Sequence, residues 1–247
     1  MSGTLVVNEI YLSLQGESTF AGLPCIFIRL TACNLRCSYC DTAYAFSEGR
    51  KSSRDDIVSA VRRLAEPFAH TPSPAIASKL PLVELTGGEP LLQKEALPLM
   101  TELCDNGFTV LLETSGALDI SSVDPRVRRI MDLKCPSSGE CDRNRFENIA
   151  SLRTHDEIKF VIGTHEDYEW VRQQIAAHGL GAVCPLLVSW VHPLAPEQQD
   201  KSLKPVPAGQ TPITRRELAE RVIADALPVR FQVQMHKVIW APDQRSV

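Results

Sequence analysis

"CIFIRLTACNLRCSYCDT", residues 25–42, is the stretch that decides the fold. Its first six residues are a short branched run with one aromatic, which reads as a buried strand. Cys33, Cys37 and Cys40 follow at once in a C-x3-C-x2-C spacing. Three thiols on one loop need a reason, and the rest of the chain narrows it. At 247 residues the chain reads as one domain, residues 1–247, large enough to bury a core without disulfides. Apolar residues make up 44% and the net charge is −4, so neither nucleic acid nor an anionic membrane is expected as a partner. The opening, MSGTLVVNEIYLSLQGE, has no basic segment followed by a long apolar run, and no later stretch reaches the roughly 18–20 apolar residues of a membrane span. A cytoplasmic location is expected, where thiols stay reduced. The eight cysteines therefore read as metal ligands or buried thiols before disulfides.

Three thiolates can fill three corners of a metal site. A structural zinc or an ordinary electron-transfer cluster takes a fourth ligand. Two readings stay open at this point. A zinc could draw its fourth ligand from afar, from Cys25 or a histidine, in a non-catalytic binding module. Alternatively, the missing ligand leaves one metal open to bind something else.

The wider pattern alternates strand and helix. Strands are expected at 25–30, 81–85 (PLVEL), 108–113 (FTVLLE), 129–134 (RIMDLK), 157–162 (EIKFVI), 185–189 (PLLVS) and 229–235 (VRFQVQM). A helix in 52–66 would be capped by Ser53, favoured by Asp55 and Asp56 at its positive end, and apolar along Ile57, Ala60, Val61 and Leu64. Further helices are expected at 95–106, 144–151, 166–178 and 214–227, the last with Thr214 and Glu217 in capping-box spacing. Such alternation builds a parallel sheet covered by helices. Seven strands with fewer full helices predict an α/β fold of the incomplete or modified (β/α) barrel type, with a flat doubly wound sheet as the alternative. Two proline-rich stretches, about 67–81 and 191–212, show neither period and read as functional covers or poorly ordered loops.

"LTGGEPLL", residues 85–92, follows the second expected strand. Its glycines let backbone approach a ligand, and Glu89 is an acceptor suited to an amine. Together the cysteine triplet and TGGEP resemble the radical S-adenosylmethionine (SAM) superfamily. The resemblance implies that the three cysteines hold a [4Fe–4S] cluster whose open iron binds the amino and carboxylate groups of SAM. "ETSG" (113–116) resembles a further SAM-facing strand end. Within the superfamily, residues 9–42, "MDLKCPSSGE" (131–140) and "QVQMHKVIWAP" (232–242) are similar to the family of 7-carboxy-7-deazaguanine synthases, carbon–nitrogen lyases of queuosine biosynthesis. The likeness spans nearly the whole chain. It implies conversion of 6-carboxy-5,6,7,8-tetrahydropterin to 7-carboxy-7-deazaguanine with loss of ammonia. SAM acts catalytically, and an external flavodoxin- or ferredoxin-type donor supplies the electron. It also implies Mg²⁺ and a homodimer. A glycyl-radical activase is the rival within the superfamily, and the LQGE and QMHK blocks argue against it.

The same resemblance assigns roles. Cys33, Cys37 and Cys40 hold the cluster, and Thr42 ligates Mg²⁺. Tyr39, Cys40, Asp41, Gly88, Glu89, Ser115, Asp132, Lys134 and Ser189 face SAM, although the family often has serine where Asp132 stands. Leu14, Gln15, Gly16, Glu17, Arg29, Thr86 and His236 form the substrate site. Chemistry supports two of these directly: the guanidinium fork of Arg29 matches a carboxylate, and the amide of Gln15 can donate to and accept from a pterin edge. Cys25, Cys104 and Cys184 are expected to be buried thiols, and Trp170 to pack on a helix face. Cys135 and Cys141 are too few for a second cluster.

Overall fold

The computed structural model describes residues 3–69, 79–241 and 243–247. The first hairpin pairs β1 (Thr4–Leu14) antiparallel with β2 (Pro24–Leu30), and β3 (Arg50–Ser53) pairs with the other edge of β1. From β2 onward every strand is parallel to its neighbour. β4 (Leu82–Gly87), β5 (Val110–Thr114), β6 (Arg128–Asp132), β7 (Glu157–Ile162), β8 (Leu186–Trp190) and β9 (Arg230–Gln232) follow in chain order. All seven expected strands are present. β1 and β3 are additional, because their residues are only half-buried and lack a continuous apolar run.

The strand order, β3-β1-β2-β4-β5-β6-β7-β8-β9, never reverses within its parallel part and does not close on itself. A doubly wound sheet reverses at a switch point and carries helices on both faces. Here α1 (Arg54–Ala65), α2 (Ala96–Asp105), α3 (His165–His178) and α4 (Arg215–Ala224) all contribute to one core, through Ile57, Leu99, Val171 and Leu218 among others. Right-handed crossovers in constant strand order put every helix on the same side. The result is an open, incomplete barrel.

Helix boundaries follow local chemistry. Ser53 and Asp56, Thr164 and Asp167, and Thr214 and Glu217 form reciprocal capping boxes at the starts of α1, α3 and α4. Removing such a cap typically costs about 0.5–2 kcal/mol. Gly179 closes α3 in the left-handed region at φ 59°. Two expectations shift. The helix at 144–151 is a 3₁₀ segment, Phe146–Ser151. The strand at 229–235 stops at Gln232, and the QMHK block turns into α5 (His236–Ile239). The proline-rich stretch at 67–81 falls largely on residues 70–78, outside the described residues. The 191–212 stretch is a long irregular cover. It is pinned at one end by the Thr164–Pro212 bridge, and Lys204 N–H donates to the Arg36 carbonyl in the cysteine loop at 2.9 Å.

Side chains alternate across each strand. Ile26, Ile28, Val83, Leu85, Leu112, Met131, Ile158, Phe160 and Val188 point to the helices and are buried. Fully burying one such side chain contributes about 1.5–3 kcal/mol. The other, concave face is layered along the strands. Cys25, Leu82, Leu111 and Ile130 form an apolar floor with Phe27. Above them, toward the C-terminal strand ends, come Arg29, Glu84, Thr86, Glu113, Asp132 and Lys159. The sheet register sets Arg29 beside Thr86 and Asp132 beside Lys159. Polar residues therefore gather at the edge where α/β barrels place their chemistry.

Candidate active site

The cysteine loop leaves β2 and crosses this polar rim. Its shape is held from outside. Glu140 accepts the Arg36 N–H at 2.7 Å, and the Ser138 carbonyl accepts the Ser38 N–H at 3.0 Å. The Arg36 guanidinium stacks over the Phe46 ring at 4.1 Å. The PSSGE segment after β6 thus supports the loop, and the fully buried Cys135 packs in the core behind it. All eight cysteines are free thiols. Cys25, Cys135 and Cys184 are buried, while Cys104 is only half-buried. Trp170 packs edge-on against Phe160 with ring centroids 6.3 Å apart.

Cys33, Cys37 and Cys40 line one large cavity over the concave face. Tyr39, Asp41, Thr42, Gly88, Ser115, Asp132 and Lys134 line it too, as do Leu14, Gln15, Gly16, Glu17, Arg29, Thr86 and His236. Residues from the β1–β2 turn, four strand ends and the C-terminal segment are brought together there. Glu89 and Ser189 are not part of the wall. Glu89 is fully buried and spends its carboxylate internally. It accepts from Thr114 Oγ1 at 2.9 Å, Ser115 N at 2.9 Å, Ser115 Oγ at 2.6 Å and Leu91 N at 3.1 Å. It ties the TGGEP turn to the ETSG strand end instead of facing an amine. Ser189 is fully buried on β8.

TGGEP owes its shape to close backbone approach. Gly87 sits at φ 138°, a region that side chains disfavour, and Gly88 lies directly against Ala32 and Cys33. Glu89 N–H donates to the Ala32 carbonyl at 2.8 Å, so this turn and the cysteine loop form one unit.

Charge is dense in the cavity. Burial raises the Cys40 thiol to about 12, and Cys33 and Cys37 are also pushed up by burial. Burial would lower Lys134, but Asp132, 2.8 Å away, holds it above the ordinary lysine value. Burial would raise Asp41, but Lys237, at 2.5 Å, keeps it well below the carboxylate range. The Thr42 hydroxyl donates to Asp41 Oδ1 at 2.7 Å. Arg29 Nε donates to Glu9 at 2.6 Å and Nη2 to the Tyr11 hydroxyl at 2.9 Å.

Several lining residues receive no role from the sequence: Tyr11, Tyr44, Glu84, Glu113, Lys159, Gln234, Lys237 and the terminal stretch 243–247. Their available signal was a charge inside a strand that otherwise reads as core, as in LVELTG and EIKFVI. The terminal stretch is anchored by Arg245 to Glu48 at 2.8 Å and by Ser246 to Glu9 at 2.6 Å.

The donor set fits an iron–sulfur cluster and a polar ligand. Soft thiolates suit such clusters, and metal binding deprotonates thiols that burial otherwise keeps neutral. The Tyr39 hydroxyl, Asp132 Oδ1 and the Asn34 amide are buried beside the loop without hydrogen-bond partners among the described residues. Orphaned polar atoms of this kind are normally completed by a ligand or water. No three His, Cys, Asp or Glu groups among the described residues are placed around a single metal ion.

An open parallel sheet with a cysteine triplet over its C-terminal rim defines a radical SAM protein, and residues 27–137 match the Radical SAM superfamily. A 7-carboxy-7-deazaguanine synthase of Koribacter versatilis is 43% identical over 98% of this chain and 99% of the relative. One from Chlorobaculum tepidum is 40% identical over 98% and 97%. The chain belongs to the 7-carboxy-7-deazaguanine synthase family. The crystal structure of QueE from Escherichia coli shares the fold, with a TM-score of 0.65, 23% identity, and 94% and 95% of the two chains covered. Radical SAM membership implies a [4Fe–4S] cluster and SAM, and it sets aside the zinc module. No helix among the described residues is long and apolar enough to cross a membrane.

Proposed function

We propose that this chain converts 6-carboxy-5,6,7,8-tetrahydropterin to 7-carboxy-7-deazaguanine and ammonia, in queuosine biosynthesis. The observation that carries the reading is identity above 40% along nearly the full length of a synthase of that name. One cavity that joins the cysteine loop to a charged cup agrees with it. When bound, the cluster and SAM would supply the radical chemistry that activates the substrate. The chain's own residues bind, orient and exclude water. Cys33, Cys37 and Cys40 hold the cluster. Tyr39, Asp41, Gly88, Ser115, Asp132 and Lys134 serve SAM, and Glu89 serves it indirectly by fixing the turn. Leu14, Gln15, Gly16, Glu17, Thr86 and His236 cradle the pterin. An external flavodoxin- or ferredoxin-type donor, a homodimer and a cytoplasmic location belong to the same reading. Anaerobic reconstitution with SAM, reductant and the carboxylated pterin, followed by mass spectrometry, tests it. Absence of the deazaguanine product from a cluster-loaded protein would refute it.

Arg29 receives the substrate carboxylate in this reading. Glu9 already occupies its Nε, so the substrate competes with an internal carboxylate or uses the rest of the fork. Arg29→Lys keeps the charge and loses the planar fork. Pterin affinity is expected to fall on the order of ten- to a hundred-fold, the worth of one charge-assisted bond, with SAM affinity unchanged. Equal pterin affinity in the two proteins would make Arg29 the structural partner of Glu9 alone.

Mg²⁺ is the finer part of the proposal. It prefers six oxygens and often takes few from protein, the rest coming from substrate and water. Thr42 presents a hydroxyl on the cavity wall beside the Asp41 carboxylate. Thr42→Val keeps the shape and removes the oxygen. It is expected to keep the cluster and SAM binding and to lose most of the Mg²⁺ stimulation of turnover. An unaltered Mg²⁺ titration in the variant would show that the hydroxyl is not a ligand.

A further inference from the structure

Lys159 is a buried cation in the middle of β7, 4% exposed, on a strand whose other residues are Glu157 and the apolar Ile158, Phe160, Val161 and Ile162. Its Nζ donates to Glu113 and lies 3.3 Å from Glu17 Oε2 and 3.9 Å from Asp132 Oδ2. The three carboxylates come from different places: the turn after β1, the end of β5 and the end of β6. Asp132 has a closer cation in Lys134 at 2.8 Å. Among the described residues no other cation lies within 4 Å of Glu17 or Glu113. Each is instead held by one neutral donor, Gln234 on Glu17 at 2.7 Å and Thr86 on Glu113 at 3.0 Å.

A buried carboxylate without a cation either costs stability or takes up a proton. Glu84, the next acid along the rim, shows the second outcome: burial and then the Glu113 charge raise it to about 8. Glu113 escapes that fate. Burial acts on it too, but Lys159 holds it below the ordinary glutamate value. Burial would likewise lower Lys159, and Glu113, Glu17 and Asp132 hold it well above the ordinary lysine value. One ammonium thus keeps Glu113 ionised and ties down the carboxylates of both Glu17 and Glu113, which line the cavity.

We propose that Lys159 is a positioning residue for the pterin subsite, aiming the carboxylates of Glu17 and Glu113 as acceptors for the N–H groups of the ring. The inference rests on the pterin reading above. A reduced pterin presents an amino group and ring N–H donors, and an ionised carboxylate binds such donors more strongly than a protonated one. Asp132 keeps Lys134, so the SAM side does not depend on Lys159.

The test compares the cluster-loaded parent with Lys159→Met, Lys159→Arg and Glu113→Gln under anaerobic conditions. Pterin Kd, SAM Kd and the cluster spectrum are measured across pH. In Lys159→Met the pterin Kd should rise on the order of ten- to a hundred-fold at neutral pH, with SAM Kd unchanged. Part of the loss should return as pH rises. Without the cation, burial leaves Glu113 titrating at higher pH, so its ionised form reappears only there. Lys159→Arg should restore most of the affinity and remove that pH dependence. Should Lys159→Met fail to load its cluster, Glu113→Gln decides, with a weaker pterin Kd at all pH values and an unchanged SAM Kd. Parent-like pterin Kd in Lys159→Met or Glu113→Gln overturns the proposal, as does equal loss of SAM and pterin binding. Parent enzyme that makes no deazaguanine refutes the functional reading instead; parent turnover with parent-like variants refutes this inference alone.

Discussion

Cys37→Ala is expected to leave a folded protein that holds almost no iron and shows no turnover above background. Cys37 sits at the centre of the loop, 8% exposed, with Ser38 next to it bonded to Ser137 and Ser138. The loop is therefore held by backbone contacts that alanine preserves. What alanine removes is one of three thiolates, and a cluster with one open iron already has no spare ligand. No other free thiol lines the cavity. Cys135→Ala and Cys141→Ala serve as controls. Cys135 is buried behind the loop and Cys141 lies in a 3₁₀ turn beyond it, so both variants should keep a normal cluster. Absorption and iron analysis after anaerobic reconstitution report the result. A full-strength [4Fe–4S] spectrum in Cys37→Ala would end the cluster assignment.

Gly88→Ala is expected to be nearly as damaging, though it adds a single methyl. That carbon would overlap the Ala32 carbonyl oxygen and stand 2.8 Å from Cys33 Cβ. Neither neighbour is free to retreat. Gly88 N–H donates to the Leu30 carbonyl at 3.3 Å and Glu89 N–H to Ala32, and Glu89 is locked to Thr114 and Ser115. Separating the two loops costs about 1–3 kcal/mol of stability, typical for overpacking. Activity should suffer more, because a misplacement of about 1 Å near reacting groups can cost on the order of a hundred-fold. Reduced cluster occupancy, weakened SAM binding and a turnover loss of that order are the expected results. Parent-like SAM affinity and turnover would show that the TGGEP turn does not set the position of the cysteine loop.

How legible the molecule was depended on whether a signal was local. Ser53, Thr164 and Thr214 start helices through bonds that reach only three residues along the chain, and a capping box can be read wherever its pair is spaced correctly. β7 and β8 announce themselves by branched, apolar runs. The cysteine spacing is likewise a local fact. β1 was harder to see, because its eleven residues alternate irregularly and it gains its place by pairing with β2 and β3 on either side. The 3₁₀ segment 146–151 bonds the distant Gly116 and Leu118 carbonyls through Asn148, and just past β9 the Met235 N–H donates to the Gly16 carbonyl, contacts that no local pattern announces.

The sequence by itself determined that seven strands alternate with helices, that three thiols stand on the loop after the first of them, and that a glycine turn follows the next. It also placed Arg29 and Gln15 among residues suited to a carboxylated pterin. Only the tertiary structure decided which charges meet. Glu89 turns inward to Thr114 and Ser115, Arg29 finds Glu9, and Glu17, Glu113 and Lys159 converge from three elements. The C-terminal residues reach the same cavity from the far end of the chain. The physical reason is range. Strand period and caps depend on neighbours a few residues away, whereas the state of a buried charge depends on whichever partner the sheet register brings within about 4 Å.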